Sequence, residues 1–413
     1  MNPARILGLN TYLLFSLFFF CLNTSKAQVS EFYFNLGLEY LNKEKFDSAI
    51  QKFTDVIKID SNHSDAFLNR GVAYVYLGRN KEALLDVESS LEINPLNAVA
   101  HNNKGWFLVQ DEKYEAAFIS FNRALEIDST YVLSYINRGR LNHEMKNYAA
   151  AKNDYYKVLS FDSESAAAYY LIGKTFYEEE KFEDALESVN KAIKIAPLFK
   201  DGLYFRGEIR GRLNDYFGAV SDNLRIIEID SSEYVAHCNV GYIYLQMNNE
   251  YKGIEYINKS IELNPKYPRG YLFRGLVRHY QRKYPEAIID FDYAIKLDST
   301  YSDAYSKRAQ SKISLNDKVG ALKDANKAIS ISPSIPEYYE GRATIKILYK
   351  NYKSAWDDLE KAVSLNPNKS SFYLTRGFLQ NEIGQKAKAC QEFKKALKLG
   401  DPDANSYVLK YCK

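Results

Sequence analysis

Seven arginines recur in one register of the chain, and an acid stands sixteen residues after each. They are Arg70, Arg138, Arg206, Arg274, Arg308, Arg342 and Arg376, matched by Asp86, Asp154, Asp222, Asp290, Asp324, Asp358 and Glu392. A guanidinium facing a carboxylate makes a two-pronged ion pair; without the acid, the same arginines would form a cationic row for an anionic ligand. Co-occurrence favours the pair. Where the register holds Leu36, Lys104, Ile172 or Val240, the matching position is Lys52, Ser120, Ser188 or Tyr256, never an acid. The arginines therefore read as clamps inside a repeated unit, with an anion-binding ladder as the alternative.

Little else in the sequence suggests reactive chemistry. The five histidines are His63, His101, His143, His237 and His279. His101 and His237 replace an aromatic residue found in other units, which suggests a packing role. His143 and His279 are too far apart in the register to share a metal. No phosphate loop, His-Glu-x-x-His or Gly-x-Ser-x-Gly motif is present. The carboxylates recur with the repeat, as paired or solvated groups do. Neither an enzyme, a metal nor a cofactor is expected.

The elements that position the clamps repeat every thirty-four residues from Ser30 to Asp403. Eleven units start at residues 30, 64, 98, 132, 166, 200, 234, 268, 302, 336 and 370. Position eight is glycine in all but two, which carry Ala309 and Ala343. Position twenty is alanine except for Gly253. In the fifth unit, Tyr169, Ile172, Gly173 and Phe176 recur at helical spacing, as do Ala185, Val189, Ala192 and Ile193 after a turn near Glu180. Small residues at positions eight and twenty let two antiparallel helices approach. A proline or serine near position thirty-two stops the second helix, as at Pro95 and Pro197. Positions seven and twenty-three then lie at one level of the hairpin.

This pattern resembles the tetratricopeptide repeat, and the resemblance covers residues 28–403. It implies an all-α solenoid, a right-handed superhelix whose concave groove is lined by the first helices. The departures are local: Asn223, Ala309 and Ala343 mark units six, nine and ten as the softest. It also implies a peptide site. Asn35, Asn69, Asn103, Asn137 and Asn239 share the inward-facing position six, where an amide can donate to and accept from an extended backbone. A purely structural asparagine is the competing reading. Tyr170, Tyr204 and Tyr242 occupy neighbouring groove positions and suit peptide side chains or sugar rings. The family's carboxylate-gripping pattern, lysine at position five with asparagine at nine, is missing.

Both ends carry their own signals. Arg5 precedes an apolar run, Leu13 to Leu22, and then Ser25 and Ala27, the layout of a secretory signal peptide over residues 1–27. An uncleaved membrane anchor and a lipid-modified Cys21 compete with that reading. At the other end, Ala404, Tyr407, Val408 and Tyr411 form an apolar stripe, predicting a capping helix over 404–413, with Asp401 capping it and Pro402 opening it. Cys390 and Cys412 fall on that last contact. In an oxidising compartment they predict a disulfide, against two buried thiols. Net charge is +3 and no long basic run occurs, which disfavours nucleic acid. The expectation is an exported, periplasmic or cell-surface scaffold that binds protein or peptide. A carbohydrate-binding surface factor is the alternative. A membrane would enter only through an uncleaved anchor.

Overall fold

A computed structural model describes residues 26–412. All but the last two residues of the expected signal segment lie outside them; Lys26 and Ala27 begin a helix that runs to residue 42. The described chain is an all-α solenoid of eleven helix pairs closed by a final short helix. Among the described residues, no helix is long and apolar enough to cross a membrane.

Repeat eight shows why each unit folds. Its first helix, Pro268–Tyr280, starts on a proline whose fixed φ suits a first turn and whose missing N–H costs nothing there. It buries Gly270, Leu272, Phe273, Gly275 and Val277. The second helix, Tyr284–Leu297, buries Ala287, Asp290, Phe291 and Ala294. Between them Arg282 adopts φ 61°, and its N–H donates to His279 O at 2.9 Å. Every repeat makes this left-handed turn at position fifteen. Only Gly78 and Gly384 meet it without a side chain; Glu44, Glu112, Lys146, Glu180, Asn214, Asn248, Asn316 and Lys350 do so with one.

The chain divides into two compact units, residues 1–202 and 203–413. Within the first, apolar clusters bridge successive hairpins: Leu68, Ala83 and Val87 of repeat two join Ala100 and Phe107 of repeat three. Within the second, Cys238 and Ile257 join Leu272, Phe273, Phe291 and Ala304 across repeats seven to nine. No hairpin buries its own apolar face alone; stacking does it.

The final helix, Ala404–Tyr411, packs on the eleventh repeat. Tyr407 meets Phe378 edge-on at 4.8 Å, and Tyr411 lies 5.6 Å from Phe393. A disulfide joins Cys390 to Cys412, which ends the helix. Pro402 does not open this helix, contrary to expectation. It sits in the preceding turn, because Asp401 Oδ1 accepts from both Asp403 N and Ala404 N at 3.1 Å and starts the helix two residues later.

Candidate functional site: the inner face and its clamps

The register arginines hold the hairpins shut. Nη2-to-carboxylate distances are 2.7 Å for Arg70–Asp86, 2.5 Å for Arg138–Asp154 and 2.6 Å for Arg206–Asp222. They are 2.8 Å for Arg274–Asp290, 2.6 Å for Arg308–Asp324, 2.6 Å for Arg342–Asp358 and 2.9 Å for Arg376–Glu392. Arg70, Arg138, Arg308 and Arg342 also donate from Nε to the second oxygen, the planar fork that lysine cannot make. Burial opposes the charge on Arg308, but hydrogen bonds to Asp324 and Asp292 outweigh it and raise its pKa.

Five of the seven forks have a third prong that the sequence reading missed. Nη1 reaches back to the second helix of the preceding repeat: Thr54 Oγ1 from Arg70, Asn122 Oδ1 from Arg138, Asn258 Oδ1 from Arg274, Asp292 Oδ1 from Arg308 and Asn326 Oδ1 from Arg342, at 2.5–3.3 Å. The clamp therefore ties neighbours as well as closing its own hairpin. The signal was present at position twenty-five. Lys104 faces Glu88 at 2.9 Å, whereas Ile172 and Val240 follow Tyr156 and Leu224 at the corresponding positions.

Aromatic position four also makes a polar contact. The hydroxyls of Tyr135, Tyr271, Tyr339 and Tyr373 donate to carbonyls six residues back, at 2.9–3.2 Å. His101 and His237 replace that phenol, with Nε2 at 3.0 Å from Pro95 O and 3.2 Å from Ser231 O. Burial lowers both imidazole pKa values. His143 Nδ1 meets Thr175 Oγ1 at 3.1 Å and His279 Nδ1 meets Ser311 Oγ at 2.8 Å, each in the next repeat. Cys238 is a buried thiol whose pKa burial pushes up to about 12, far from a nucleophile.

The inward-facing asparagines use part of their capacity internally. Asn35 donates to Glu31 and Asn69 to Asp65 O on their own helices. Asn137 donates to Asn102 Oδ1 at 3.0 Å, and Asn102 donates to Asn103 at 3.4 Å. Asn239 donates to Asn223 Oδ1 at 3.2 Å. Asn102, which the sequence reading left out, is buried at the centre of that group and also accepts from Ser134. Tyr170 meets Phe199 edge-on at 5.1 Å, and the Tyr204 hydroxyl is buried.

Tyr242 is placed differently. It stacks on Phe273 at 4.5 Å and lines a cleft of about 630 Å³ on first helices of repeats seven to nine, with Leu272, Leu276, Tyr280 and Lys307. A second cleft of about 510 Å³ adjoins it and shares Lys307. His279, Ile313, Glu337, Glu340 and Leu348 line this one. Most of both walls comes from consecutive first helices, with Glu250 of one second helix added to the first cleft and Ala325 and Ala328 of another to the second. Among the described residues, no group of three His, Cys, Asp or Glu side chains could hold a metal. The two clefts present an apolar floor, exposed aromatic rings and a few charges.

Comparison with known proteins agrees with the repeat register. One tetratricopeptide-repeat family model matches residues 34–98 and 68–132, and a second matches 132–165, 166–197 and 234–267. The chain is 24% identical over 144 residues to anaphase-promoting complex subunit 3 of Schizosaccharomyces pombe, covering 35% of this chain. It is 32% identical over 79 residues to a NADPH oxidase activator of Dictyostelium discoideum, covering 19% of this chain. It spans only 22% and 13% of the lengths of those relatives. The crystal structure of yeast Tom70 shares the fold, with a TM-score of 0.51 at 15% identity over 94% of this chain and 96% of that one. Residues 34–197 and 234–267 thus match tetratricopeptide-repeat models, and the rest of the array keeps the same register and helix pairs.

Proposed function

We propose that this protein is a non-catalytic interaction scaffold of the cell envelope that holds an extended segment of another protein in its groove. The observation that carries the reading is the pair of adjoining clefts on repeats seven to ten. Their walls place exposed rings and leucines beside isolated charges, which suits a chain with alternating apolar and polar side chains. Tyr242, Leu276 and Tyr280 supply the apolar contacts. Within residues 1–202, taken by themselves, Asn69, Asn103 and Asn137 keep unused amide capacity that suits a peptide backbone. The seven Arg–acid clamps keep the first helices parallel, so the surface is formed before the partner arrives and little ordering entropy is spent on binding.

Export rests on the residue 1–27 segment and on the Cys390–Cys412 bridge, which persists in an oxidising compartment. The reading is tested by panning a library of displayed extended peptides against the chain, then repeating with Leu276→Arg. Selected peptides should lose at least about tenfold in affinity. Unchanged affinity with an intact fold would move the site elsewhere.

A further inference from the structure

Eight carboxylates that lie partly or fully buried in this array hold cations. Asp86, Asp154, Asp222, Asp290, Asp324, Asp358 and Glu392 hold arginines, and Glu179 holds Lys152. Glu340 breaks that habit. It sits on the first helix of repeat ten, Pro336–Leu348, in the wall of the second cleft. Its oxygens accept from Thr375 Oγ1 at 2.9 Å and Ser371 Oγ at 3.3 Å, both on the next first helix. Among the described residues it makes no ion pair. Burial raises its pKa, the two hydroxyls oppose the rise, Glu337 adds to it and Lys369 tempers it.

A half-buried carboxylate held only by two hydroxyls costs stability and keeps acceptor capacity unused. That capacity lies in a cleft, beside a second carboxylate, Glu337, and against the apolar Ile313 and Leu348. Lys307 borders the same cleft where it meets its neighbour, and it repels a cation placed there. The positive end of a ligand is thus directed to one end of the groove.

We propose that Glu340 is a specificity residue that receives a lysine or arginine side chain of the bound peptide, while an adjacent apolar side chain of that peptide seats on Ile313 and Leu348. The proposal rests on the groove reading above and names the class of segment it takes: extended, with a basic residue beside an apolar one. Thr375 and Ser371 orient the carboxylate; Glu337 adds a second charge.

The test uses short acetylated peptides, each with one leucine followed by a lysine, a glutamine or a glutamate in an otherwise uncharged background. Their binding to the whole chain is read by fluorescence anisotropy at neutral pH and low salt. The lysine peptide should bind about tenfold tighter than the glutamate peptide. Glu340→Gln should reduce that preference to within about twofold while leaving the glutamine peptide's affinity in place, and Glu340→Lys should reverse it. A preference that survives Glu340→Gln, or peptides that bind with no charge preference, would overturn the role of Glu340 and leave the groove reading standing. If no peptide of any charge bound, both would fall.

Discussion

Gly275 faces the Phe291 ring so closely that a Cβ on it would lie 2.6 Å from Cε1. Gly37 and Phe53, Gly105 and Phe121, Gly139 and Tyr155, and Gly377 and Phe393 repeat the contact. Where position eight carries a methyl, as in Ala309 and Ala343, position twenty-four holds Ala325 or Leu359 instead of a ring. The pair is one unit of volume. Gly275→Ala should therefore cost about 1–3 kcal/mol. Adding Phe291→Leu, the combination seen in repeat ten, should recover part of it, so the double change costs less than the sum. Hydrogen exchange of repeat eight is the readout, because a long array does not unfold in two states.

The clamps make a second prediction. Arg70 and Asp86 are the cleanest pair, since Asp290 is shared with Arg278, Asp324 with Lys312 and Asp358 with Lys346. The Asp86 side chain is 8% exposed. Replacing it alone strands a poorly solvated guanidinium and should cost about 3 kcal/mol. A double-mutant cycle with Arg70→Met and Asp86→Leu should give a coupling of about 1–3 kcal/mol. Additive effects would mean that the fork contributes no net coupling.

Acid should weaken the array through its histidines. Burial lowers the folded-state pKa of His101, His143, His237 and His279 below the ordinary value of about 6.5. The unfolded chain therefore binds protons first as pH falls. The stability held by neutral imidazoles is complete above the unfolded pKa and is lost as pH drops towards the folded one. His101→Tyr with His237→Tyr would keep the donor to the carbonyls of Pro95 and Ser231 and remove two of the four titrations. The urea midpoint should then fall less between neutral and mildly acidic pH than it does in the parent. An unchanged slope would count against this account.

The left-handed turns predict gains. Lys350 and Arg282 each hold φ 61°. Glycine pays no Cβ penalty there, so each change to glycine should add about 0.5–1 kcal/mol. Gly78→Ala, at φ 71°, should lose a similar amount. Local exchange protection around each turn measures both.

The fold was legible because one constraint, a close helix pair, is repeated eleven times and leaves small residues at fixed positions. Arginine and acid vary together at positions seven and twenty-three because a hairpin puts them at one level, and such joint variation is visible within a single sequence. The third prong, to Thr54 or Asn122, crosses from one repeat to the next, so its signal lies between units and not within one. Glu340 had no such signal: one acid at an inward-facing position looks like any other until the surrounding helices show it held by two hydroxyls and not by an ion pair. Position fifteen was masked because five different residue types occupy it and only the backbone is common. Of the inward-facing residues, Tyr242 lines a cleft, while Asn137 and Asn239 spend an amide hydrogen inside the chain.

The most direct test of the central claim is hydrogen–deuterium exchange of the whole chain with and without a peptide selected from a displayed library. Protection should concentrate on the first helices of repeats seven to ten, Tyr234–Gln246, Pro268–Tyr280, Ser302–Ser314 and Pro336–Leu348. Protection confined to the second helices, around exposed residues such as Phe217, Tyr251 and Val319, would show that the outer face binds and the groove does not.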